Sequence, residues 1–358
     1  MVRDYSAFLP SATPVRREPT ALERLGWDPT FSSQIDANAM TETPPVRVVA
    51  VHRSGLQVAG DEIKEAIPLG PDATVGDRIL LDPARPRSSR VLERKSLIKR
   101  RAPGTGREVQ LIAANIDTVF VVTSCNQDFN VARLERYVAL AFEAGIDPVI
   151  VLTKADLTDD IASYVEEAQK VSDRVPVVAL DARGEEPSAA LSDWCKPGRT
   201  VAFLGSSGVG KSTLTNALLG AQSIATQGIR EDDARGRHTT TRRELHATPS
   251  GCLVLDTPGM RELQLTNNAA GIADVFEDIE ALAASCRFTD CRHETEPSCT
   301  ILAAIEDGSL DAARFNRWRK LQAEDAFNSA SLGERREKDR AFGKLVRSAV
   351  KVKLDRKR

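Results

Sequence analysis

Aromatic residues are scarce in this 358-residue chain, at 5%, and no uninterrupted apolar run is long enough to cross a bilayer. That absence excludes a helical membrane span. No apolar leader follows Met1, so a cytoplasmic protein without membrane partners is expected. A net charge of one sign is also missing: 49 Lys and Arg face 51 Asp and Glu, for a formal charge of −2. The balance argues against a uniformly basic coat for nucleic acid. Cysteine is sparse, six in all, which in a reducing compartment means free thiols or metal ligands. Cys125, Cys195 and Cys252 stand alone beside or within apolar strands and read as buried thiols. No internal repeat is visible. What is present is a hydrophobic content of 41%, enough for a real core, in a length that suggests two or three domains.

Within that chain, Gly205-Ser206-Ser207-Gly208-Val209-Gly210-Lys211-Ser212-Thr213 follows the apolar run Thr200–Leu204. It fits the phosphate-loop pattern: two glycines separated by four residues, then Lys and Ser or Thr. Glycines let the backbone approach phosphate oxygens while N–H groups converge at a helix N-terminus. Lys211 is expected on the β- and γ-phosphates, and Ser212 on Mg²⁺. Downstream, Cys252–Leu255 leads into Asp256-Thr257-Pro258-Gly259. Asp256 would hold the same ion through water, and Gly259 would meet the γ-phosphate through its N–H. The base-reading element lies upstream instead of downstream, as Thr153-Lys154-Ala155-Asp156 after the strand Pro148–Leu152. The Asp156 carboxylate can accept from both N1–H and the exocyclic amine of guanine, and the stem of Lys154 can cover the base. Moving this block behind Gly259 restores the usual order of a GTPase. The chain therefore reads as a circularly permuted GTPase.

Three positions depart from the usual pattern. Thr153 stands where Asn is common, and is expected to lose an amide that braces the phosphate loop. Ala179-Leu180-Asp181 replaces the usual third guanine loop, so no side-chain role follows there. Met260, after Gly259, cannot orient a water molecule, which leaves His238 as the nearest candidate for that task. His238 precedes Thr239-Thr240-Thr241 in the first switch position, where Thr240 is taken as the residue reaching Mg²⁺.

Cys286, Cys291, His293 and Cys299 form a Cys₃His set within fourteen residues. Such a set fills all four positions of a tetrahedral zinc ion and leaves none for water, so its role is structural.

Texture along the chain suggests five parts: an irregular extension (1–44), a small barrel (45–110), the permuted GTPase (111–265), a mainly helical zinc domain (266–330) and a basic tail (331–358). Leu22, Leu25 and Trp27 suggest an apolar anchor in the extension. The barrel's short strands fit an OB-fold, although alternation alone does not separate it from an SH3-like barrel. In the central part, near-continuous apolar runs belong to a parallel sheet covered on both faces. Beyond Gly259, helices are expected over Ile272–Ala284, Cys299–Ala304 and Leu310–Glu324. Two segments concentrate basic charge. Arg85–Arg107 holds nine Lys or Arg against the single acid Glu93, and reads as an unpaired face for RNA. Glu334–Arg358 holds eleven against four.

With these residues in view, the chain resembles the ribosome small-subunit-dependent GTPase A family over about residues 45–330. The matching stretches are the phosphate loop, Gly236–Thr241, Leu255–Gly259 and Cys286–Cys299, with Ala114-Asn115-Ile116-Asp117 and Arg94-Lys95-Ser96 also similar. The resemblance implies an N-terminal OB-fold, a permuted GTPase and a C-terminal zinc domain. It further implies a monomer that binds the small ribosomal subunit and its rRNA, with hydrolysis of GTP to GDP stimulated by the subunit and His238 in catalysis. Two rivals are a permuted GTPase of large-subunit assembly and an RNA-binding scaffold with a spent GTPase domain. The barrel and Cys₃His flanks disfavour the first, and intact Lys211, Ser212 and Asp256 disfavour the second.

Overall fold

The computed structural model describes residues 17–101, 109–220, 243–256 and 268–329. Three short helices, α1 (Ala21–Arg24), α2 (Pro29–Ser32) and α3 (Ala37–Glu42), precede the first strand. Strands β1 (Pro45–His52), β2 (Gly55–Ala59), β3 (Lys64–Ile67), β4 (Arg78–Leu80) and β5 (Arg90–Val91) pair antiparallel in the order β3-β2-β1-β4-β5. Alternate residues Val46, Val48, Leu56, Val58, Ile67, Ile79 and Leu81 bury one face as a separate small core. Among the described residues no ladder joins β3 to β5. A hairpin, β6 (Leu97–Arg101) with β7 (Val109–Ala114), follows as its own sheet.

The central strands are β8 (Thr118–Ser124), β9 (Asp147–Thr153), β10 (Val177–Ala179), β11 (Thr200–Leu204), β12 (Arg243–Ala247) and β13 (Leu253–Asp256). Parallel pairing gives the order β10-β9-β8-β11-β13. Every residue of β8 and β11 is buried. The two-residue period explains why: Val119, Val121, Ile150, Leu152, Ala202 and Leu204 face one layer, and Phe120, Val122, Val149, Val151, Val201 and Phe203 the other. Helices α4 (Val131–Glu143), α5 (Ile161–Gln169), α8 (Ala269–Val275), α9 (Glu277–Ala284), α10 (Thr300–Glu306) and α11 (Ala312–Ser329) contribute to the first layer; α6 (Glu186–Ala190) and α7 (Lys211–Leu219) lie beside the second.

Two features were not legible beforehand. Strand β12 pairs antiparallel with both β13 and β1, through Ala50↔Glu244 and Val51↔Arg243. Strands β1–β5 and the central strands therefore form one continuous mixed sheet. The helix expected over Ile272–Ala284 breaks at Phe276, whose backbone (φ −114°, ψ 37°) leaves the helical region. The break buries the Phe276 ring completely, with the Arg314 guanidinium 4.8 Å from its centroid.

The junction is polar and dense. Arg47 is fully buried and donates to Leu25 O (2.7 Å), Gly76 O (3.3 Å), Asn115 O (3.2 Å) and Thr200 Oγ1 (2.8 Å). One guanidinium thus ties the N-terminal helices, the small sheet and β11. Burial pushes it down to about 10, still protonated at neutral pH. Leu25 O also accepts from Arg78, which lies over the Phe31 ring. Leu22 and Phe31 are buried, so part of the extension is an apolar anchor.

The basic run is paired in part, with residues outside it, which narrows the reading of an unpaired face. Arg94 grips Asp77 with two hydrogen bonds (Nε–Oδ1 2.7 Å, Nη2–Oδ2 2.9 Å), and the Asp77 side chain is wholly buried. Lys95 reaches Asp28 (2.7 Å) and Asp117 (3.3 Å), Arg85 reaches Asp82 (3.4 Å), and Arg100 donates to Gln110 (3.0 Å). All five partners (Asp77, Asp28, Asp117, Asp82 and Gln110) lie outside Arg85–Arg107, so a count of charges within the run does not find them. Arg107 and the tail beyond Ser329 lie outside the described residues. Among the described residues no helix is long and apolar enough to cross a membrane.

Candidate functional site

Sequence-distant loops meet at the C-terminal ends of β8, β9, β10 and β11, the edge where open parallel sheets bind ligands. After β11 the chain turns at Gly205 (φ +147°), where an added Cβ would fall 2.2 Å from the Val122 carbonyl oxygen. Only glycine fits there. The loop ends at Gly210 (φ +98°), the N-cap of α7, and Lys211, Ser212 and Thr213 form the first turn of that helix. Its first N–H groups lack intrahelical acceptors and carry the positive end of the helix dipole. The Lys211 ammonium folds over the loop, donating to Gly205 O (2.7 Å) and to Ser206 O. Val209 is buried and anchors the loop, while Ser207 and Gly208 are exposed.

The guanine element sits beside it. Thr153 ends β9 fully buried, Lys154 takes a left-handed conformation (φ +57°), and Ala155–Leu157 form a single 3₁₀ turn. This geometry leaves Ala155 buried and turns Asp156 to the surface. Thr153 Oγ1 lies 2.7 Å from Val209 O and 3.2 Å from Thr123 O. Thr153 lacks the amide, as expected, and its hydroxyl keeps a contact with the phosphate loop at Val209 O. A β-branched side chain in a buried strand has few rotamers, so a short hydroxyl suffices where a longer amide is usual.

Two residues that the sequence did not single out complete the arrangement. Arg183, after the divergent third loop, pairs with the Asp156 carboxylate. Arg133, in the first turn of α4, donates to Ser206 Oγ at 2.7 Å. Arg133 carried a weak signal, since it follows the C-terminal end of a parallel strand; Arg183 carried none. Asp256 ends β13 in register with Glu244 on β12. His238, Thr240 and Gly259 lie outside the described residues.

Helix α4 also faces the Cys₃His region. Glu135, fully buried, accepts from Arg317 (Nε–Oε2 2.8 Å) and lies 3.5 Å from Arg314, both on α11. Arg136 clasps Glu324 of the same helix (Nη1–Oε2 2.8 Å). The ligand atoms of Cys286, Cys291, His293 and Cys299 all lie within 4.8 Å of one another. Cys286 Sγ is 3.9 Å from Cys299 Sγ and 3.6 Å from His293 Nδ1, which is 3.4 Å from Cys299 Sγ. Tetrahedral zinc sulfurs stand about 3.8 Å apart, so the cluster is compatible with a zinc site. His293 adopts a left-handed backbone (φ +57°) and packs against Phe315 and Trp318, which holds its ring toward the thiols.

Comparison with known proteins agrees with this geometry. A family model described as RsgA GTPase matches residues 91–266. The curated protein "Small ribosomal subunit biogenesis GTPase RsgA 2" of Vibrio parahaemolyticus is 48% identical over 338 residues, spanning 94% of this chain and 94% of its own length. The crystal structure of YjeQ from Thermotoga maritima superposes with a TM-score of 0.55 at 25% identity, over 77% of this chain and 96% of that one. A second structure, of YloQ, titled a circularly permuted GTPase, gives 0.54 at 22% identity over 83% of this chain and 100% of that one. The fold is that of a circularly permuted GTPase with a central mixed sheet. Near-half identity along almost the full length of both sequences decides the rest: the chain belongs to the RsgA GTPase family.

Proposed function

We propose that the protein hydrolyses GTP to GDP during assembly of the small ribosomal subunit, with the subunit and its rRNA stimulating turnover. The observation that carries this reading is the Thr153–Val209 hydrogen bond (2.7 Å), which joins a guanine element to a phosphate loop across a permuted chain. The name of the Vibrio relative supplies the ribosomal context.

In this reading the N–H groups at the start of α7 receive the phosphates. Lys211 leaves the loop carbonyls to pair with the β- and γ-phosphates, an exchange of one set of oxygens for a more negative one. Lys154 covers the base and Asp156 accepts its two N–H donors. Ser212, Thr240 and Asp256 would hold Mg²⁺, which when bound neutralises charge on the phosphate oxygens. His238 would orient the attacking water, and Gly259 would meet the γ-phosphate. Cys286, Cys291, His293 and Cys299 would hold one structural zinc that closes the loop before α10. The small antiparallel sheet, read as an OB-fold (45–110), and the zinc domain (266–330) would flank the GTPase domain (111–265) and grip rRNA. The protein would act as a cytoplasmic monomer.

The test is single-turnover GTP hydrolysis under three conditions: without subunits, with purified small subunits and with purified large subunits. Stimulation by small but not large subunits is the expected result. Equal rates under all three conditions would show that the reading fails.

A further inference from the structure

The third guanine loop lacks its usual residues, yet the fold delivers a side chain from it to the base-reading carboxylate. Strands β9 and β10 are parallel neighbours, with Val177 opposite Ile150 and Ala179 opposite Leu152, so the loops after them emerge side by side. Leu180 anchors the second loop: it is buried, and its N–H bonds Leu152 O at 3.0 Å. Asp181 then accepts from both the backbone N–H of Arg183 (3.0 Å) and its Nε (3.2 Å). Those contacts aim the guanidinium, whose Nη2 donates to Asp156 Oδ2. Among the described residues, Arg183 is the only group that bonds the Asp156 carboxylate.

We propose that Arg183 is a positioning residue of the guanine site, holding the Asp156 carboxylate in the orientation that reads the base. The inference rests on the guanine reading given above. A carboxylate offers about four lone-pair directions, and guanine needs two of them, one per oxygen. The guanidinium takes one on Oδ2, so base and arginine share the carboxylate instead of competing for it. Asp156 hangs from a single 3₁₀ turn with its side chain 28% exposed, and without a second donor the carboxylate would rotate freely. A planar, charge-assisted donor fixes it at small entropic cost. Since Arg183 is itself 66% exposed, the effect is modest.

Titration of the full chain with GDP, inosine diphosphate and ADP tests this, using wild type, Arg183→Ala and Arg183→Lys. Arg183→Ala should weaken GDP about fivefold and narrow the preference for GDP over inosine diphosphate, which lacks the exocyclic amine. Arg183→Lys should recover most of the affinity. Unchanged thermal unfolding would show that these effects come from the site. If wild type prefers GDP over ADP but Arg183→Ala binds GDP equally well or more tightly, the positioning role is wrong. If wild type itself fails to distinguish GDP from ADP, the guanine reading fails instead.

Discussion

Thr153 donates its hydroxyl to the carbonyl of Val209 at 2.7 Å, across 56 positions of sequence. That one bond ties the candidate guanine loop to the candidate phosphate loop. Gly210, next to Val209, takes a left-handed backbone (φ +98°) that favours glycine, with the Thr153 side chain packed beside it.

Thr153→Val keeps the shape of this side chain and removes its donor. The Val209 carbonyl then stays without that partner, at an expected cost of about 1–2 kcal/mol. Guanine nucleotide affinity should fall with stability, while Thr153→Ser should retain both. Urea unfolding and GDP titration of the two variants measure the difference.

Arg94→Ala should destabilise the protein instead of merely lowering its affinity for RNA. The substitution leaves Asp77 buried with a bond from Thr74 N (2.7 Å) but without its cation. Breaking such a pair costs about 3 kcal/mol. A melting curve close to that of wild type would show that the pair contributes little.

Glu135→Gln removes the buried charge that faces Arg314 and Arg317 on α11. Those arginines are partly solvated, so a loss of about 2 kcal/mol is expected. Hydrogen exchange should speed up in α11 and the first turns of α4 before it does so in β8 and β9. Uniform acceleration across the molecule would mean that α4 and α11 do not separate as a unit.

Chelation should release a single zinc ion and loosen residues 286–299, with GDP binding retained, because the Cys₃His ligands come from a stretch of sequence separate from the phosphate and guanine loops. Metal analysis of freshly purified protein checks the first part. Loss of GDP binding on chelation would instead reveal that the cluster supports the nucleotide site through α11 and α4.

Much of this protein was readable in its sequence alone. The permuted order of the motifs, the Cys₃His spacing and the apolar runs of β8, β9 and β11 are local patterns. Each depends on residues close in sequence, where backbone geometry and ligand chemistry leave few alternatives. Tertiary structure decided what depends on distant partners. It set the pairing of β12 with β1 and matched Arg94 and Lys95 to carboxylates. It gave Thr153 the role of brace and Arg183 its place beside Asp156. A charged or polar side chain has several possible partners of similar energy, and only the packing of the whole chain determines which one comes within hydrogen-bonding distance.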